Sequence, residues 1–139
     1  MNFTFSVEGG DFTNAGAASS HVKKMMKQLG VDNGIIKRTV VALYEAEVNI
    51  VAHAYNGQIV VDIEEDKIYI KLEDEGPGIP DISQAMQKGY STASPKVREM
   101  GFGAGMGLPN MKANADILNV VSEVNKGTVV EITNFFNAQ

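Results

Sequence analysis

Residues 67–81 constrain this chain more than any other stretch. Lys67-Ile68-Tyr69-Ile70-Lys71-Leu72 alternates polar and apolar side chains, as a strand with one buried face does. It runs into Glu73-Asp74-Glu75-Gly76-Pro77-Gly78-Ile79-Pro80-Asp81, where Gly-x-Gly and two prolines end the strand. One carboxylate is thereby set at the edge of a sheet. Beside it lies backbone without Cβ atoms, able to approach whatever the carboxylate holds. A Gly- and Pro-rich turn with surface acids reads the same way in isolation, so the choice rests on the rest of the chain.

The same alternation recurs in Phe3–Val7, Gln58–Ile63, Ile117–Val124 and Thr128–Ile132. Gly9-Gly10 ends the first of these strands, and Glu64-Glu65-Asp66 connects a hairpin. Asn56-Gly57 and Asn125-Lys126-Gly127 read as turns. Helical spacing appears in Val22, Met25, Met26 and Leu29, a stripe expected to start at a Thr13 or Asn14 cap and to stop at Gly30. A second helix, capped by Asp32, is expected from about residue 34 to 54, with Ile36, Val40, Leu43, Ile50 and Ala54 inward. A short helix follows Asp81 to about Lys88. Another runs from Leu108 to Asp116, with Leu108, Met111 and Ala115 inward and Pro109 tolerated in its first turn. From Asn134 the tail is polar apart from Phe135 and Phe136. The expected fold is a two-layer α/β sandwich over residues 1–139, one domain with a mixed, mostly antiparallel sheet and helices on one face.

Composition narrows the function classes. The chain has 139 residues, 44% of them hydrophobic and 21% charged, with a net charge of −5, which suits one domain with its own core. Its basic residues form no block of the kind that tracks nucleic acid. Without cysteine it can form neither a disulfide nor a thiolate metal site. No basic, apolar leader and no membrane-length apolar run is present, so a soluble, cytoplasmic protein is expected.

Chemistry concentrates in three places. On the second helix Glu45 and Asn49 are spaced i, i+4, so both heads point to one side, with His53 on the same face. Polar groups in so apolar a helix usually have a task. Glu47 points about 200° away from Glu45. The second place is Asp74 with its glycines. The third is Gly101, Gly103, Gly105 and Gly107, four glycines in seven residues ahead of a helix. Unobstructed N–H groups and a helix start suit an oxyanion; a hinge is the other reading. The spacing is neither a Walker loop nor a dinucleotide fingerprint. Residues 89–107 lack periodicity and read as a lid, a binding loop or a disordered segment. His21, with no carboxylate or second histidine beside it, reads as structural, with a phosphoacceptor role as the alternative.

Taken together, Glu45-Ala46-Glu47-Val48-Asn49, Asp74-Glu75-Gly76-Pro77-Gly78, Gly101-Phe102-Gly103-Ala104-Gly105-Met106-Gly107-Leu108 and Gly127-Thr128 resemble the ATP-binding boxes of a superfamily. That superfamily contains gyrase B, the heat-shock chaperone ATPase, MutL-type repair proteins and sensor histidine kinases. The short single domain is most similar to the anti-sigma-factor serine/threonine kinases. The resemblance implies that Asn49 coordinates Mg²⁺ bridging the ATP phosphates and that Glu45 is the general base. It implies that Asp74 accepts a hydrogen bond from the adenine amino group, with room made by Gly78 and support from Thr128. It implies that Gly103, Gly105 and Gly107 wrap the phosphates and that residues 89–102 form an ATP lid. His53, Gly76, Ile79, Gly101, Ala104, Met106 and Leu108 complete the implied site. Lys96 and Arg98 are candidates for a γ-phosphate clamp, whose place no basic residue clearly matches. The implied partners are a small antagonist protein phosphorylated on Ser or Thr and a sigma factor, and the implied assembly is a homodimer. Two rivals stay open: an ATP-sensing switch without kinase activity, and a detached histidine-kinase catalytic domain.

Overall fold

The computed structural model describes residues 1–87 and 107–136. Strand β1 (Asn2–Glu8) leads through a 3-10 turn (Phe12–Asn14) to α1 (Ala17–Gln28) and α2 (Asn33–His53). The hairpin β2 (Asn56–Ile63) and β3 (Lys67–Glu75) follows, then the short α3 (Ile82–Ala85). Helix α4 (Gly107–Ala113) precedes the hairpin β4 (Ile117–Glu123) and β5 (Gly127–Phe135). No helix among the described residues is long and apolar enough to cross a membrane.

Among the described residues five strands form one sheet, in the order β1-β2-β3-β5-β4. All four pairings are antiparallel, where a mixed sheet was expected. The cause is the second hairpin. Strands β3 and β4 run in the same direction, but β5 folds back between them and separates the pair that would have been parallel.

Strict alternation makes one sheet face apolar. Ile59, Val61, Ile63, Ile68, Ile70, Leu72, Val130 and Ile132 are all buried on it. Against it α2 sets Ile36, Leu43 and Ile50, α1 sets Ala18, Val22 and Met26, and α4 sets Leu108 and Met111. Leu43 is fully buried; cutting it to alanine would cost about 2–5 kcal/mol. The expected two-layer sandwich is therefore present, with α2 as its central helix.

Four local expectations change. Helix α1 starts at Ala17 and not at Thr13 or Asn14, because Gly16 turns the chain at φ +95° and the cap comes from elsewhere. Glu47 of α2, 2% exposed, takes hydrogen bonds from the backbone N–H groups of Gly16 (3.1 Å), Ala18 (3.2 Å) and Ser19 (3.2 Å) and from Ser19 Oγ (2.8 Å). Asn14 instead donates to Asp11. In consequence the buried stripe of α1 moves toward its start, to Ala18, Ser19, Val22 and Met26, and Leu29 is exposed. The stop at Gly30 (φ +75°) is as read, and Asp32 caps α2 through Gly34 N–H. His21 packs edge-on against Phe3 and Phe5, a structural contact.

Asn56-Gly57 is no turn. Both residues are in β2, opposite Glu75 and Asp74, and Gly57 lies so close to Ile50 that a Cβ there would sit 3.0 Å from its side-chain carbons. Helix α3 ends by Ala85 and α4 by Ala113, both shorter than expected. Finally, β5 continues through the expected polar tail to Phe135. Its next inward position, Asn134, is fully buried. There it accepts from Asp116 N–H (2.7 Å) and donates from Nδ2 to Thr39 Oγ1 and the Asn114 carbonyl (3.0 Å each).

Candidate functional site

Helix periodicity carries Glu45, Asn49 and His53 along one face of α2, all partly buried. Helix α4 crosses this face. Asn110 donates from Nδ2 to Glu45 Oε1 at 3.2 Å. One turn earlier on α4, Gly107 lies against the Asn49 amide; a Cβ at 107 would sit 3.0 Å from Oδ1 and 3.1 Å from Nδ2. At the C-terminal end of α2 the same face meets the acid-glycine stretch. A Cβ on Gly76 would come within 2.9 Å of Ala54 Cα and 3.6 Å of the His53 carbonyl oxygen. Burial holds the His53 imidazole below its ordinary value of 6.5, so it is neutral at pH 7.

The Asp74 side of the site is built by β3, β4 and β5. β3 runs past Leu72 to Glu75, so Asp74 stands within the strand and on its inward face. Asp74 Oδ1 accepts from Thr128 N–H at 3.0 Å. Burial raises the Asp74 pKa, and the Thr128 amide opposes that rise. Ser122 Oγ accepts from Ile79 N–H at 2.7 Å, sits 2.8 Å from Thr128 Oγ1 and donates to the Gly127 carbonyl at 3.1 Å. Hydrogen bonds from Gly76 N–H to Lys126 O (3.0 Å) and from Asn125 N–H to Pro77 O (2.8 Å) lay the loop against the β4–β5 turn. Gly78, at φ +79°, has no room for a Cβ beside the Glu123 carbonyl, and Gly127 has none beside the Asp74 carbonyl. The space read from the sequence as room for a bound group is thus also required by the chain's own backbone at these glycines.

Two groups of predicted residues are therefore brought together: Glu45, Asn49 and Gly107 between α2 and α4, and Asp74, Ile79 and Thr128 in one hydrogen-bonded cluster. Gly76 joins them through the end of α2. Leu108 is 4% exposed, and its side chain belongs to the core. Gly101, Gly103, Ala104, Gly105, Met106, Lys96 and Arg98, and the segment 89–102, lie outside the described residues. Sequence reasoning missed Asn110 and Ser122. Ser122 had a signal, because strand alternation from Leu118 puts it on the inward face of β4.

Chemically, Glu45 and Asn49 offer a carboxylate and a neutral amide oxygen one turn apart. Among the described residues no cluster of three or more His, Cys, Asp or Glu could cage a metal. The donor set fits a hard divalent ion that keeps waters and takes most of its ligands from a substrate. Asp74 Oδ2 is left to accept from a ligand amino group, since Oδ1 is engaged by Thr128.

Comparison with known proteins adds independent findings. The pattern of the histidine kinase-like ATPase domain matches residues 11–134. The chain is 33% identical over 119 residues to the serine/threonine-protein kinase RsbT of Bacillus subtilis, covering 83% of this chain and 84% of that protein. It is 37% identical over 99 residues to the anti-sigma F factor of Caldanaerobacter subterraneus, covering 68% of this chain and 66% of that one. For the anti-sigma F factor of Geobacillus stearothermophilus the figures are 39% over 99 residues, 67% and 63%. The matched region thus spans just under two thirds of either anti-sigma F factor. Among solved structures, the RsbU and RsbW domains of Rv1364c from Mycobacterium tuberculosis share the fold with a TM-score of 0.65. That match is 14% identical and covers 96% of this chain and 32% of the other.

Proposed function

The chain belongs to the histidine kinase-like ATPase domain family, and from that membership we propose that it is an ATP-binding anti-sigma regulatory factor acting as a serine/threonine protein kinase. The observation that carries this reading is the face of α2. Glu45 and Asn49 are held side by side against Asn110 and Gly107 of α4, a base and a metal ligand where phosphoryl transfer needs both.

Asp74 selects adenine by accepting from its amino group through Oδ2, while Thr128 holds Oδ1 and Ser122 holds Thr128. Gly103, Gly105 and Gly107 bind the phosphates. Asn49 Oδ1 would hold Mg²⁺, which would neutralise phosphate charge when bound with ATP. Glu45 takes the proton of the attacking serine or threonine hydroxyl as its oxygen bonds the γ-phosphorus and the bond to the departing ADP breaks. Neutral His53 adds no charge to the face. Positioning and charge neutralisation supply most of such a reaction, so one carboxylate and one amide are a sufficient set of side chains for this face. The substrate is a small antagonist protein and the second partner a sigma factor, in a cytoplasmic homodimer.

The test is capture of partners with and without Mg·ATP, followed by phosphosite mapping of what is retained. Phosphoserine or phosphothreonine on a retained protein is the expected result. Mg·ATP-dependent retention with no phosphate transferred would replace the kinase with a nucleotide-sensing switch.

A further inference from the structure

We infer that Asn110 is a positioning residue for Glu45, fixing the general base through α4; the inference rests on the kinase reading above. Asn110 Nδ2 donates to Glu45 Oε1 at 3.2 Å across the α2–α4 contact, both residues being partly buried. Among the described residues Asn110 is the side chain that engages this carboxylate. Bound at Oε1, the carboxylate keeps Oε2 to take a proton, and its rotamer and plane are set by a donor on another helix.

Asn110 is itself held in place. Asn114 Nδ2 donates to the Asn110 carbonyl at 2.9 Å. The Asn114 carbonyl in turn accepts from Asn134, whose amide also reaches Thr39 on α2. Helix α4 is thus tied to α2 twice by asparagine amides, at its middle through Asn110 and Glu45 and just past its C-terminal end through Asn134 and Thr39. A long acidic side chain on an unsupported helix face samples several rotamers, and holding one of them is what orientation contributes to a proton transfer. Gly107, on the same side of α4, touches Asn49. One short helix therefore lies against both members of the α2 pair.

The bond predicts a distinctive pattern of kinetic loss. Asn110→Leu keeps the branching of the side chain, favours the helix more and has no amide; Asn110→Gln keeps the amide on a longer stem. Both are made in the full chain, with circular dichroism confirming the fold. ATP turnover is followed with Mg·[γ-³²P]ATP alone, water serving as acceptor, and Mg·ATP affinity is measured by calorimetry. Asn110→Leu should lower kcat about 10- to 100-fold, the rate equivalent of one hydrogen bond to a charged group. Mg·ATP affinity should stay within about twofold, and Asn110→Gln should recover most of the rate. In a Glu45→Gln background Asn110→Leu should cost less than about twofold more, because a residue acting through Glu45 has nothing left to position. An equal penalty in both backgrounds, or a fall in affinity that matches the fall in rate, overturns the inference and leaves the kinase reading standing. A parent protein with no turnover and no transfer to a captured partner removes the kinase reading, and this inference with it.

Discussion

Replacing Glu47 with glutamine keeps the shape of the side chain and removes its charge, and the structure says what that costs. The Glu47 carboxylate is 2% exposed and receives four hydrogen bonds. Oε2 takes the N–H groups of Gly16 and Ala18, and Oε1 takes Ser19 N–H and Ser19 Oγ. A carboxamide offers one acceptor oxygen where the carboxylate offers two. If the amide oxygen faces Gly16 and Ala18, the Ser19 hydroxyl can rotate to accept from the new NH₂, but Ser19 N–H loses its partner. The opposite orientation strands two N–H groups. One stranded buried donor costs about 1–3 kcal/mol. The lost charge at the N-terminal end of α1 adds about 0.3–2 kcal/mol. A loss of about 2–4 kcal/mol is expected, against a total of roughly 5–15 kcal/mol for a domain. At this chain length that lowers Tm by about 6–16 °C. Urea unfolding and calorimetry read the loss, and amide exchange should quicken first at Ser19. Mg·ATP affinity of the folded protein should not change, because Glu47 points away from Glu45. A Glu47→Gln protein within about 0.5 kcal/mol of the parent would show that Glu47 does not cap α1, since that is the range of ordinary surface substitutions.

Three further outcomes follow from the site. Asn49→Ala should abolish the Mg²⁺ dependence of ATP binding in calorimetry; parent-like binding of Mg·ATP would remove Asn49 as metal ligand. In Asp74→Asn the amide oxygen must stay on Thr128 N–H, which turns the NH₂ toward the ligand amino group. ATP affinity should fall about 5- to 150-fold, and a loss under about twofold would make Asp74 a structural acid only. His53 has a native pKa below its ordinary value of 6.5, so the unfolded chain binds the proton more readily. Unfolding therefore takes up a proton as pH falls through about 6.5, and stability drops there. His53→Gln should flatten that part of the stability curve between about pH 7.5 and 5.5, and parallel curves for parent and variant would contradict the assignment.

What could be read in the sequence was local. Glu45 and Asn49 sit one helical turn apart, so spacing alone placed them on one face. Asp74 closes an alternating run, so its place at the end of the inner sheet face followed from period two. The residues that escaped depend on partners distant in the chain. Glu47 caps a helix 28–31 positions upstream, and no local pattern distinguishes it from a solvated acid. Asn110 meets Glu45 across 65 positions. Asn56-Gly57 has turn chemistry, yet the packing of Ile50 against Gly57 keeps both residues in the ladder. Asn134 was readable: the inward series Thr128, Val130, Ile132 continues to it, and only its polarity argued for a tail. The antiparallel sheet was not, because the slot that β5 takes depends on hairpin folding and not on the composition of any strand.

Phosphoryl transfer by the Glu45→Gln protein tests the proposed kinase most directly. The captured partner is incubated with labelled Mg·ATP and either parent or variant, and nucleotide and partner binding are titrated alongside. The variant should bind Mg·ATP and partner as the parent does while transfer falls by roughly 10²- to 10⁴-fold, the worth of a general base. Transfer at the parent rate by Glu45→Gln would contradict the assignment of the base, and a parent that binds both ligands yet transfers nothing would contradict the kinase itself.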